Sequence, residues 1–166
     1  MIIMGVDPGT RATGYGIIEV ADDGALKIID YGCINAPTDL PLSQRYKIIF
    51  TSLTFLLEKH PISHLAVETQ FVGKNTQSTM KLCLARGMAV LAATLKDIPV
   101  YEYSPTRAKQ AVVGNGQATK LQVQKMLQML LRLSKIPEPE DASDALALAI
   151  CHLHTFQSPL NTAVPI

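Results

Sequence analysis

Four acidic residues stand where a chain can do chemistry. Asp7 directly follows the apolar run Ile2 to Val6, and Glu68 directly follows Leu65, Ala66 and Val67. The C-terminal ends of strands open into solvent-facing loops and commonly deliver functional groups. Asp141 and Asp144 lie three residues apart at the start of a helical segment. That spacing puts both on one helix face, about 60° apart around the axis. Taken singly, each acid has a plain explanation as a turn former, an N-cap or a partner of the helix dipole. Taken together, four clustered carboxylates repel one another and call for a divalent cation. All-oxygen ligation suits Mg²⁺, with Mn²⁺ as a substitute. Two such ions ~3.5–4 Å apart activate a water and stabilise the leaving oxygen of a phosphodiester. No Cys–His zinc pattern is present. His152 and His154 lie two apart, on different helix faces, and read as ordinary late-helix histidines favoured by the dipole.

Basic residues supply the complementary charge. Lys109 and Lys120 flank Gly114-Asn115-Gly116, and lysine is a compact point charge suited to phosphate. Lys74, Lys81, Arg86, Arg107 and Lys125 extend the same basic set. From Phe71 to Lys135 there are ten Lys or Arg and two acids, whereas the other residues hold five basic and twelve acidic groups. The net +1 therefore hides a basic middle of +8 inside an acidic frame of −7, which suits an anionic partner on one surface. Phe71 lies three residues past Glu68 in a polar stretch. It either stacks on an unpaired base or tucks into the core.

The elements that must position these groups are legible from periodicity. Ile2–Val6, Tyr15–Val20 and Leu26–Ile34 read as strands, with Asp22-Asp23-Gly24 as a hairpin turn between the second and third. A helix begins at Pro41, with Leu42, Tyr46, Ile49, Leu53, Leu56 and Leu57 on one stripe. His64–Glu68 and Val100–Tyr103 are two more strands. The helix between them carries Met80, Leu84, Met88, Leu91 and Leu95, together with small residues that allow close approach of another element, in the core or in a second subunit. Ser104-Pro105 starts a further helix, Thr119–Leu133 forms another, and Asp141–Thr155 is the last. This order describes an α/β layer fold with a mixed five-stranded sheet flanked by helices. Residues 1–155 form one domain, and 156–166 read as a loosely attached or disordered tail.

Composition narrows the classes. No apolar run reaches the ~20 residues of a membrane span, and the N-terminus lacks a signal-peptide pattern, so a soluble, unexported protein is expected. Cys33, Cys83 and Cys151 are scattered and odd in number, so they read as buried reduced thiols.

These motifs also resemble a known family. Gly5-Val-Asp7-Pro-Gly-Thr-Arg-Ala-Thr-Gly-Tyr-Gly16 resembles the first motif of the RuvC Holliday-junction resolvases. Ala66-Val-Glu68-Thr-Gln-Phe71 is similar to their second acidic motif, and Lys109–Gly116 with Lys120 to their basic segment. Asp141-Ala-Ser-Asp144 and the following residues to His152 resemble their final Asp-rich helix. The resemblance runs from about Ile2 to His154. It implies a ribonuclease-H-like fold, a homodimer and Mg²⁺-dependent symmetric nicks in a four-way junction, in homologous recombination and repair. It further implies that Asp7, Glu68, Asp141 and Asp144 hold two ions per subunit, and that Phe71, Lys109 and Lys120 meet DNA; by their charge alone, Lys74, Lys81 and Arg86 are expected to extend that DNA-binding surface. RuvA and RuvB are the implied partners, in a bacterial cytoplasm.

Three other readings stay open at this level. A different ribonuclease-H-like nuclease would share Asp7 and Glu68. An actin-like ATPase would share the strand-end Asp-x-Gly, but needs a second lobe for which 166 residues are too few. An inert junction-binding scaffold would bind without cutting.

Overall fold

The computed structural model describes residues 1–70, 75–159 and 163–166. Five strands form one sheet: β1 (Ile2–Asp7), β2 (Ala12–Val20), β3 (Leu26–Asn35), β4 (His64–Glu68) and β5 (Val100–Tyr103). The spatial order is β3-β2-β1-β4-β5. The first three strands form an antiparallel meander, and β4 and β5 extend the sheet in parallel from β1. The parallel steps are long crossovers through helices, as parallel pairing requires. These helices are α1 (Leu42–Lys59) and α2 (Thr76–Thr94), followed after β5 by α3 (Pro105–Val113), α4 (Lys120–Leu130) and α5 (Glu140–Gln157).

Alternation along the strands divides the core in two. Ile3, Ala66, Tyr101 and Tyr103 pack with Val112, Val123, Leu127, Leu146 and Ile150 from α3, α4 and α5. Met4, Val6, Leu65 and Val67 pack with Ile49, Leu53 and Leu57 of α1 and with Ala85, Ala89, Ala92 and Ala93 of α2. Asp7 follows Ile3 in the alternation, and Glu68 follows Ala66. Both carboxylates therefore lie on the α5 side of the sheet.

The helices depart from their expected bounds for local reasons. Pro41 is the N-cap of α1 rather than its first residue. The fourth helix stops at Leu130, because Arg132 adopts a positive φ of 51° and the Leu133 N–H turns back to the Gln128 carbonyl. The last helix runs on through Phe156 and Gln157, where the Phe156 ring lies 4.7 Å from that of His64. At the chain end, the Ile166 N–H donates to the Val100 carbonyl at 2.9 Å. Of the cysteines, Cys151 is buried, Cys33 is half-buried and Cys83 is exposed, so the buried reading fails for Cys83.

Candidate active site

The site starts with a register. Val6 of β1 pairs in parallel with Val67 of β4, so the next residues, Asp7 and Glu68, end two adjacent strands on the same face. The loop after Asp7 is braced. Thr13, fully buried, donates its hydroxyl to the Gly9 carbonyl at 2.8 Å and accepts the Gly9 N–H, and Arg45 donates to the Thr10 carbonyl.

Glycines let α5 come down onto this corner. Gly5 and Gly16 are register partners, and Gly14 is the partner of Asp7. A Cβ on Gly14 would sit 1.9 Å from the Asp141 carbonyl oxygen, and one on Gly5 the same distance from that of Ala145. The helix backbone thus rests on the bare sheet backbone. Its first turns, with Asp141 and Asp144, are lowered to the level of Asp7.

Asp7, Glu68 and Asp144 line one cleft of ≈ 300 Å³ together with Lys109 of α3 and Lys120 of α4. Lys109 and Lys120 arrive on well-defined helix starts. Ser104 caps α3 by accepting the Arg107 N–H, and Thr119 forms a reciprocal capping box with Gln122. The left-handed Gly114, at φ 78°, ends α3 and turns the chain toward α4. Lys120 Nζ lies 3.3 Å from Asp144 Oδ2 and 3.0 Å from Glu140 Oε2. Asp141 is oriented differently: its Oδ2 accepts from the Cys33 thiol at 3.6 Å.

The electrostatics are those of a crowded anion cluster. Burial, then the charges of Glu68, Asp144 and Asp141, push Asp7 up to about 8, against a small opposing pull from Lys120. Burial and Asp144 push Glu68 up to about 7, opposed by Lys120 and Lys109. Asp144 is also raised, mainly by burial, with Lys120 offsetting part of it. Carboxylates that hold protons near neutrality are sites where a divalent cation can take the proton's place. Among the described residues, no three acidic, His or Cys side chains form a ready-made ligand group. The donor chemistry nonetheless fits a hard cation, since the cleft offers carboxylate oxygens from three separate elements. Asp144 is held by Lys120 and Asp141 by Cys33, so closing on an ion requires side-chain rotation.

The remaining candidates are placed elsewhere. Lys81 is exposed on α2, and Arg86 pairs with Glu102 of β5; neither lines the cleft. Arg107 lies over the Tyr103 ring, 5.2 Å from its centroid. Phe71 and Lys74 lie outside the described residues. His152 corrects its reading as a dipole-stabilised late-helix histidine. It is fully buried, bonded to Tyr103 and His64 at 2.8 Å each, and pushed down to about 4 by burial and His64. Sequence reasoning missed Cys33 and Glu140. Glu140 stands four residues before Asp144, a spacing that shares a helix face.

A ribonuclease-H-like sheet with carboxylates at two strand ends and on a covering helix, facing lysines across one cleft, defines a nuclease of that α/β class. The family model for crossover junction endodeoxyribonuclease RuvC matches residues 3–152. A RuvC endodeoxyribonuclease of Protochlamydia amoebophila is 52% identical over 152 residues, covering 92% of this chain and 90% of its own length. That of Chlamydia pneumoniae is 48% identical over 161 residues, covering 96% of each. The structure of T. thermophilus RuvC in complex with Holliday junction substrate superposes with a TM-score of 0.91 at 30% identity, over 100% of this chain and 99% of that one. The chain belongs to the RuvC family of crossover junction endodeoxyribonucleases.

Proposed function

We propose that this chain resolves four-way DNA junctions by nicking two strands symmetrically through divalent-cation-assisted hydrolysis. One observation carries the reading: Asp7, Glu68 and Asp144 share a cleft with Lys109 and Lys120. Acids hold cations there and lysines meet the phosphate. In this reading Asp7, Glu68, Asp141 and Asp144 hold two Mg²⁺ ions, and Mn²⁺ substitutes for them. Bound ions of this kind supply Lewis-acid neutralisation of the phosphate and a water of lowered pKa. Lys109 and Lys120 orient the scissile phosphate from the α3–α4 side and offset the negative charge that grows on it. The products are 5′-phosphate and 3′-hydroxyl ends.

Symmetric nicks need two sites related by a two-fold axis, hence a homodimer. The outer face of α2 supports this. Its alanines pack inward, while Met80, Leu84, Leu91 and Leu95 are 67%, 51%, 46% and 65% exposed. Gly87 lies on the same stripe, and a Cβ there would meet nothing within 4 Å, which leaves room for a second helix to cross closely. Phe71, Lys74, Lys81 and Arg86 also meet the DNA in this reading, with Lys81 and Arg86 standing outside the cleft. Among the described residues no helix is long and apolar enough to cross a membrane. A bacterial cytoplasmic setting with RuvA and RuvB as partners completes the reading.

The test is a substrate panel in Mg²⁺. Paired nicks in a labelled four-way junction, with linear duplex and RNA–DNA hybrid left intact, are expected. Preferred cutting of the hybrid or the duplex overturns the junction assignment.

A further inference from the structure

Glu140 belongs to none of the acidic motifs, yet it makes the shorter of the two ion pairs to Lys120. It is the first residue of α5, one turn before Asp144. Lys120 Nζ straddles that turn, 3.0 Å from Glu140 Oε2 and 3.3 Å from Asp144 Oδ2. Glu140 is exposed and lies outside the cleft wall. Asp144 lies inside it.

This division has a consequence once the cleft is loaded. A cation held by Asp144 would compete with the Lys120 ammonium for that carboxylate and repel it. Among the described residues, Glu140 is then the remaining anion within ion-pair distance of Lys120. A lysine on its flexible four-carbon stem otherwise swings into solvent. From this geometry we infer that Glu140 is a positioning residue: it tethers Lys120 at the rim of the cleft, in reach of the scissile phosphate, when Asp144 is engaged elsewhere. The inference rests on the proposed nuclease function.

The test combines Glu140→Gln, Lys120→Met and the double variant, with single-turnover cleavage of a four-way junction in Mg²⁺. Junction affinity is measured separately without divalent ions. Glu140→Gln should slow cleavage about two- to fivefold, the range of an exposed ion pair, without weakening junction binding. In the Lys120→Met background the same change should do nothing. A second readout needs no catalysis: acetic anhydride labelling of Lys120 in saturating Mg²⁺ without DNA, so that Asp144 is engaged, followed by mass spectrometry. It should rise by a similar about two- to fivefold factor in Glu140→Gln. An unchanged or faster rate in Glu140→Gln, an equal loss in both backgrounds, or unchanged labelling overturns the tether. A native protein that does not nick the junction overturns the nuclease reading and the tether with it.

Discussion

Asp7 and Glu68 each stand one residue beyond a cross-strand pair, Val6 with Val67, on two adjacent parallel strands. Neither carboxylate owes its place to a flexible loop. Each is the last residue of its strand, and the sheet fixes the pair. Removing one charge should therefore disable the cleft without disturbing the fold. Glu68→Gln is expected to lower the junction cleavage rate by about 100-fold or more, as loss of a preorganised charged group does. Its thermal midpoint should stay at or above that of the native protein. A rate within a few-fold of native would contradict the assignment of Glu68.

The raised carboxylates give the metal-free protein a defined pH response. Asp7 titrates at about 8 and Glu68 at about 7 in the fold, against 3.8 and 4.5 for the free side chains. Between about pH 4 and pH 8 the folded chain holds protons that the unfolded chain has released. The contribution of these two carboxylates to stability is therefore greatest at the acid end of this window and falls as pH rises through it. His152, lowered from 6.5 to about 4, works the other way below its free value, so the carboxylate slope stands alone above about pH 6.5. Calorimetry in chelator should show the midpoint dropping from about pH 6.5 to about pH 8.5, Asp7→Asn should flatten that slope, and Mg²⁺ should restore more at about pH 8.5 than at about pH 6.5. A native midpoint that rises over the same range would contradict this picture.

Gly14 tests how α5 is held. A methyl group there meets the Asp141 carbonyl, so Gly14→Ala must lift the start of the helix away from Asp7. Overpacking of this kind costs about 1–3 kcal/mol, or roughly 3–9 °C in a chain of this size. Cleavage should fall by about 100-fold at temperatures where the variant is still folded, since a displacement of about 1 Å suffices for that. Native activity in a folded Gly14→Ala protein would show that the contact does not set the site.

The exposed stripe of α2 makes the proposed dimer testable. Leu84→Glu places a charge on that stripe beside Gly87 and should shift sedimentation from dimer toward monomer, with loss of paired nicking. An unchanged mass for the variant, or a monomeric native protein, would place the two-fold axis elsewhere or remove it.

Much of the site is legible in the amino-acid sequence because the relevant information is local. An acid after a buried run, and two Asp at a helix start, are visible in a few residues. Their convergence is not local. It depends on β1 pairing with β4 across the whole of α1, and on Gly5, Gly14 and Gly16 giving α5 a bare surface. The second helix shows a different limit. Large and small apolar residues occupy different faces, and the periodicity alone does not say that the alanines are the ones facing the core. His152 reads as an ordinary polar residue near a helix end, and only Tyr103 and His64 explain its burial. Glu140 is hidden by Pro137 and Pro139, which read as loop up to the residue where α5 in fact begins.

The most direct test is single-turnover cleavage of a four-way junction in Mg²⁺ by native protein and Asp7→Asn side by side, with junction binding measured for both. Paired nicks by the native protein, abolished in Asp7→Asn while binding persists, are the result expected of a carboxylate-dependent resolvase. Equal cutting by both proteins, or binding without cutting by the native one, would contradict it.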